Sequence, residues 1–159
     1  MERGRSGTAR RFFPSWSSAN AACGVHARNP VTMHAILTLA RQFNVRVGAH
    51  PGFPDRVEFS RRILEASPEE AYADGMYQVS ALAGMTASLG TPLQHTKAHG
   101  ALVTTAWRHA PTAQAAHDGH PTPPLLVLST LLETEARELG VPVVMELFPE
   151  WAYTCRTDA

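Results

Sequence analysis

Apolar positions fall at helical spacing in NPVTMHAILTLARQF, where Val31, Ile36, Leu37, Leu39, Ala40 and Phe43 supply most of one face. Asn29 stands where an N-cap belongs and Pro30 at the first helical position, so the pattern predicts a helix that ends near Asn44. VRVGAH switches to β-branched residues alternating with Arg46, which predicts a short strand stopping at Gly48. SPEEAYADGMYQVSALAGMTASLG opens with Ser67, Pro68 and Glu70 in a capping-box pattern and closes on Gly90, predicting a second, longer helix. PLQHTK reads as the next strand, and the segment after it is small and helix-prone. TAQAAHDGHPTPP reads as a loop, LLVLS as a strand, TLLETEARELG as a helix and VPVVMELF as a strand.

Strand and helix alternate throughout, which predicts an α/β fold with a parallel sheet, either open and doubly wound or closed as a barrel. In both, chemistry gathers at the carboxyl ends of the strands. Polar residues sit at four such ends: Cys23 and His26 after SSANAA, His50 after VRVGA, His95, Lys97 and His99 around the end of PLQHTK, and Glu146 after VPVVM.

Composition narrows the setting. The 159 residues make one ordinary domain of 17.3 kDa, 44% hydrophobic and 18% charged. No apolar run approaches the roughly 18 residues a membrane helix needs. Fourteen basic residues balance fourteen acidic ones, so no overall field calls for nucleic acid, while eight histidines form a large titratable reserve. Two cysteines, Cys23 and Cys155, make no disulfide framework and favour a reducing, cytoplasmic setting. The opening MERGRSGTARRFFP is rich in arginine and lacks the apolar centre of a signal peptide. Residues 1–16 are therefore expected to be a disordered or foreign leader, with a transit-like arm as the alternative, and 17–159 a single domain. His34, inside the first helix, and His109, His117 and His120, in a polar connection, read as structural or solvated.

The segments SSANAACGVHARNP, VGAHPGFPD, SRR, YQVSALAG, HTKAHGAL and ELF, in this order and spacing, resemble the LamB/YcsF family from about Ser17 to Tyr153. The resemblance implies a parallel β/α barrel of the glycoside hydrolase/deacetylase type. It also implies a reaction, the ATP-dependent hydrolytic opening of 5-oxoproline to L-glutamate, carried out with two other 5-oxoprolinase subunits and with ATP held here or on those partners. A lactam is an unactivated amide, so phosphorylating its oxygen before water attacks makes chemical sense. Lys97 suits the transferred phosphate, and a histidine suits the base for water. Backbone N–H groups in the Gly48 to Gly52 and His99 to Ala101 turns suit the developing anion. On this reading His26, His50, Lys97 and His99 are catalytic, while Asn20, Cys23, Arg61, His95 and Glu146 contact substrate. No metal is expected, because no paired ligand motif is present. Two alternatives stand beside it: a catalytically inactive remnant that serves only as an interaction protein, and a metal-dependent amidohydrolase or deacetylase of the same barrel class.

Departures from the family pattern carry expectations too. The family's acidic first strand has no counterpart here, and family members continue well past residue 159. The barrel is therefore expected to be incomplete, and residues 1–159 alone are expected to show weak or no activity until those carboxylates are restored. Arg28 and Asn29 replace a family Gly-Asp, Glu58 and Ser60 replace two glycines, and Ala98 replaces a proline. Val103 and Thr104 replace a Tyr-Asn, and Glu150 and Trp151 an Asp-Arg.

Overall fold

The computed structural model describes residues 13–106, 125–127 and 143–145. A 3-10 turn, Phe13–Ser15, precedes β1 (Ser18–Ala22), α1 (Pro30–Gln42), β2 (Arg46–His50) and α2 (Pro68–Ser88). Then come β3 (His95–Thr96), α3 (Ala101–Ala106), β4 (Leu125–Val127) and β5 (Val143–Met145). The five strands form one sheet in the order β1-β2-β3-β4-β5, every pair parallel. This order never reverses, whereas a doubly wound sheet turns back at a switch point. The order of the described strands is therefore not that of a doubly wound sheet.

Both long helices start as their sequences dictate. The Asn29 side chain accepts from the Thr32 amide at 2.9 Å, and the Thr32 hydroxyl accepts from the Asn29 amide at 3.0 Å. Ser67 and Glu70 close the same reciprocal box at the head of α2. On α1 the buried face is Met33, Leu37 and Ala40, while Val31, expected on that face, is 77% exposed. Position 31 lies in the first turn, before the helix reaches the sheet.

Alternation along the strands separates two faces. Ala21, Val47 and Ala49 turn toward the helices and pack with Leu37, Val79 and Leu82. Burying a leucine of this kind contributes about 1.5–3 kcal/mol. The other face carries Asn20, Gly48 and His95 in one row, because Asn20 is in register with Gly48 and Gly48 with His95. His95 Nε2 donates to Asn20 Oδ1 at 2.6 Å, crossing above Gly48.

Several boundaries differ from the sequence reading. β2 runs two residues past Gly48 to His50, since glycine here is a strand residue that makes room for a ring rather than a stop. β3 is only His95–Thr96, although single parallel bonds continue its pairing with the chain after β2. Phe13 falls within the expected leader but is 1% exposed, with its ring 5.2 Å from Trp16 and 6.2 Å from Phe43. Residues 13–16 therefore pack with the domain. The remaining leader, the expected 112–124 loop and the TLLETEARELG helix lie outside the described residues. Among the described residues, no helix is long and apolar enough to cross a membrane.

Two glycines separate packing from propensity. A Cβ on Gly48 would stand 2.0 Å from His95 Nε2, whereas one on Gly84, within α2, would meet nothing within 4 Å. Gly48→Ala should destabilise the fold by about 1–3 kcal/mol through overpacking. Gly84→Ala should stabilise it by about 0.5–1 kcal/mol through helix propensity. Urea unfolding of the two variants checks both signs.

Candidate active site

Three strand ends bring His26, His50 and His99 into one group. His50 is the last residue of β2, His26 lies in the loop from β1 to α1, and His99 follows β3. The backbone sets their spacing: Lys97 N donates to Ala49 O at 2.8 Å and His99 N to Pro51 O at 2.8 Å, carrying the parallel pairing beyond β3 itself. The His26 and His99 rings stack 4.4 Å apart at 10°. His50 lies edge-on to His99 at 4.7 Å and to His26 at 6.0 Å.

Hydrogen bonds run through two of these rings. His50 Nδ1 lies 2.6 Å from the Lys97 carbonyl, His50 Nε2 lies 2.9 Å from His99 Nδ1, and His99 Nε2 lies 2.9 Å from the Phe59 carbonyl. His26 differs: it is 1% exposed, and neither ring nitrogen has a hydrogen-bond partner. Such a ring usually finds a partner, so its two nitrogens mark a place for a ligand or water.

The loop after β2 builds the wall. Gln78 reaches from α2 to clamp Gly52, accepting from its N–H at 3.1 Å and donating to its carbonyl at 2.9 Å. Asp55 accepts two bonds from Arg62, at 2.8 and 3.0 Å, and one from the Glu58 amide at 3.2 Å. Arg56 donates to the Gly24 carbonyl at 2.7 Å and also to the Arg28 carbonyl, tying down the loop that holds His26. Phe59 presents its ring edge-on to His26 at 5.4 Å and to His99 at 4.8 Å, with Arg61 above it at 5.7 Å. Phe59 and Ser60 both adopt left-handed backbone, φ 56° and 55°. That geometry aims the Phe59 carbonyl at His99 and the Ser60 carbonyl at the Ala101 amide, 2.7 Å away.

Every histidine here is held below its ordinary value of 6.5. Burial, reinforced by His99 and Arg56, brings His26 to about 4. Burial outweighs the Lys97 carbonyl bond and, with the charges of His99, Lys97 and His26, brings His50 to about 3. His99 is lowered by burial, with Arg61 and Lys97 adding to it. The ordinary imidazole basicity assumed from sequence is thus corrected: the rings are neutral near pH 7 and surrounded by cations. Burial also pushes the Cys23 thiol up to about 12. Cys23 sits in the helix-facing core and its Sγ–H donates to the Ala21 carbonyl at 3.5 Å, so its expected contact with substrate is not what its surroundings favour.

Of the remaining sequence candidates, Asn20 and His95 pair one row below His50 on the same sheet face, and Arg61 caps Phe59. Lys97 acts electrostatically on His50, His95 and His99. Glu146 lies outside the described residues. Among the described residues, no three His, Cys, Asp or Glu side chains converge in a way that could hold a metal ion. Sequence reasoning missed Gln78, Asp55, Arg56 and Phe59. Two of them had an advance signal, Asp55 within VGAHPGFPD and Gln78 within YQVSALAG, segments that carry the family resemblance, but nothing in either segment told which residue each would hold.

Burial makes stability depend on pH. Between pH 6.5 and about 3 the unfolded chain binds protons at positions 26 and 50 that the folded chain does not. Stability should be fully present above pH 6.5 and fall as the pH drops through that window, and His50→Gln should flatten the fall in urea unfolding at stepped pH. Strain gives a second expectation, because Ser60 combines a φ of 55° with a buried, unpartnered hydroxyl. Ser60→Gly should raise stability by about 1 kcal/mol in the same unfolding measurement, relief of left-handed strain and of the orphaned hydroxyl exceeding the extra freedom of an unfolded glycine.

The LamB/YcsF family model matches residues 2–158. Over 154 residues the chain is 49% identical to the A subunit of 5-oxoprolinase from Thermus thermophilus, covering 92% of this chain and 61% of that protein. It is 42% identical over 142 residues to the A subunit of 5-oxoprolinase from Clostridium beijerinckii, covering 86% of this chain and 56% of that one. The crystal structure of the lactam utilization protein from Thermus thermophilus superposes with a TM-score of 0.85 at 48% identity, over 91% of this chain and 60% of that chain. The chain thus spans 56–61% of the length of these curated relatives. On a family match along nearly its whole length, the chain belongs to the LamB/YcsF family.

Proposed function

We propose that this chain acts as the A subunit of a 5-oxoprolinase, opening 5-oxoproline to L-glutamate in the cytoplasm at the expense of ATP, together with two partner subunits. We infer further that its sheet is part of a β/α barrel of the glycoside hydrolase/deacetylase type. The relatives named as A subunits of 5-oxoprolinase support the reaction, and the unreversed strand order supports the barrel. One observation carries the assignment to this site: three imidazoles in contact at adjacent strand ends, beside Lys97, where parallel α/β folds place chemistry.

In this scheme the lactam oxygen attacks the γ-phosphorus of ATP and ADP departs. Water then attacks the activated carbon and gives up a proton to the imidazole group; the ring C–N bond breaks and nitrogen takes a proton, leaving a γ-glutamyl phosphate, which a second water hydrolyses to L-glutamate and phosphate. Lys97 pairs with the transferred phosphoryl as a point charge. His26 is the ring whose buried nitrogens have no hydrogen-bond partner, while the nitrogens of His50 and His99 lie against each other and against main-chain carbonyls. The neutral state of all three suits a base rather than an acid.

Glutamate release from 5-oxoproline, with ATP and both partner subunits present, tests this. Lys97→Met should lower the rate by about 100-fold or more while leaving the circular dichroism spectrum unchanged. Activity that survives Lys97→Met would remove the lysine from the phosphoryl contact, and absence of release from either form would remove the reaction.

A further inference from the structure

The His50–His99 chain has more hydrogen-bond contacts than neutral rings have protons. A carbonyl only accepts, so the Lys97 and Phe59 carbonyls at the two ends each require an N–H. Two neutral imidazoles own two N–H groups, and those ends consume both. The central contact, His50 Nε2 to His99 Nδ1 at 2.9 Å, then sets lone pair against lone pair. Moving a proton to the centre only transfers the conflict to one end. A single added proton completes all three contacts, and the pair becomes one shared cation.

The charges around the pair explain why that proton is missing from the free protein. Lys97 on the strand side acts on both rings, Arg61 from the loop after β2 acts on His99, and His26 from the loop after β1 acts on His50. Arg56 acts on His26 in turn. Cys23, whose thiol meets the His50 backbone, is uncharged. Asp55, the carboxylate of this loop, is occupied by Arg62 and the Glu58 amide. Among the described residues, no carboxylate figures among the charges acting on His26, His50 or His99. The charges that the described residues place around this site therefore favour an anion, and the His26 ring, its nitrogens buried and unpartnered, stacks on His99.

We propose that this pocket binds an oxyanion, and that the His50–His99 pair takes up one proton as the anion arrives. The anion offsets the surrounding cations, and the proton fills the vacant contact; each makes the other more favourable by linkage. Two groups share the required chemistry, a tetrahedral phosphoryl and the carboxylate of 5-oxoproline. The inference relies on the proposed function only for the location of the site. The pair is thereby the proton store of the site.

Calorimetric titration of the full chain at pH 7, in buffers of different ionisation enthalpy, counts the protons. Sulfate stands in for the phosphoryl group because it does not titrate near neutrality, so every proton counted belongs to the protein; 5-oxoproline is the second probe and its uncharged amide the control. The expected result is uptake approaching one proton per bound sulfate or 5-oxoproline, and affinity falling about tenfold per pH unit above 7. The probe that shows uptake identifies the source of the anion. His99→Asn, whose amide donates to His50 without needing an added proton, should lose the uptake. Binding without proton uptake, failure of both anions to bind, equal binding of the amide, or full uptake in His99→Asn would each overturn the proposal. Proton-linked sulfate binding in a chain that releases no glutamate would leave this inference standing and remove the reaction.

Discussion

Parallel pairing on both sides of β2 is the constraint from which the site follows. Because β1, β2 and β3 point the same way, the residues at their carboxyl ends share one edge, and histidines far apart in sequence become ring neighbours. Alternation along β2 gives Val47 and Ala49 to the helix-packed core and leaves Gly48 and His50 for the opposite face. Gly48 lets the His95 ring lie across the sheet toward Asn20, and His50 begins the hydrogen-bonded chain one row further on. A slip of one residue in this register would send the histidines into the core.

The loop between β2 and α2 folds over that edge, and its own fixtures are polar. Gln78 replaces the backbone partners that Gly52 lacks outside the strand, and Asp55 gathers the turn around itself with Arg62. The backbone it holds is left-handed at Phe59 and Ser60. Two residues with positive φ in this chain, Arg28 and Ser60, stand where the family pattern resembled from sequence carries glycine. Glycine alone adopts this backbone without strain. Each such position costs about 1–2 kcal/mol, which the surrounding bonds must offset.

Electrostatically the site is, among the described residues, an excess of positive and potentially positive groups over carboxylates. Burial holds the histidines neutral, and Lys97, Arg56 and Arg61 deepen the effect. A site in this condition gains from a negative ligand twice, through direct attraction and through the basicity that the ligand restores to the rings. This asymmetry suits the proposed reaction, in which ATP and 5-oxoproline are both anionic.

Much of the scaffold was legible in the sequence because it depends on local chemistry. The Asn29 and Ser67 caps, the prolines that follow them, the two long helices and the parallel arrangement are all set by residues within a turn or two of one another, or by alternation along the chain. The residues at the strand ends were legible as candidates for the same reason: a strand's last residue can be found from its pattern. What those side chains touch was not. Whether Cys23 faces the core or the pocket, which histidines pair and which stands unpartnered, and how far burial lowers their basicity depend on residues far away in sequence, Gln78 on Gly52, His99 on His50 and His95 on Asn20 among them. Periodicity determined which face of each element is apolar. Only the packing of one element on another decided where each polar group finds its partner, because hydrogen bonding and desolvation depend on distance in space and not on separation along the chain.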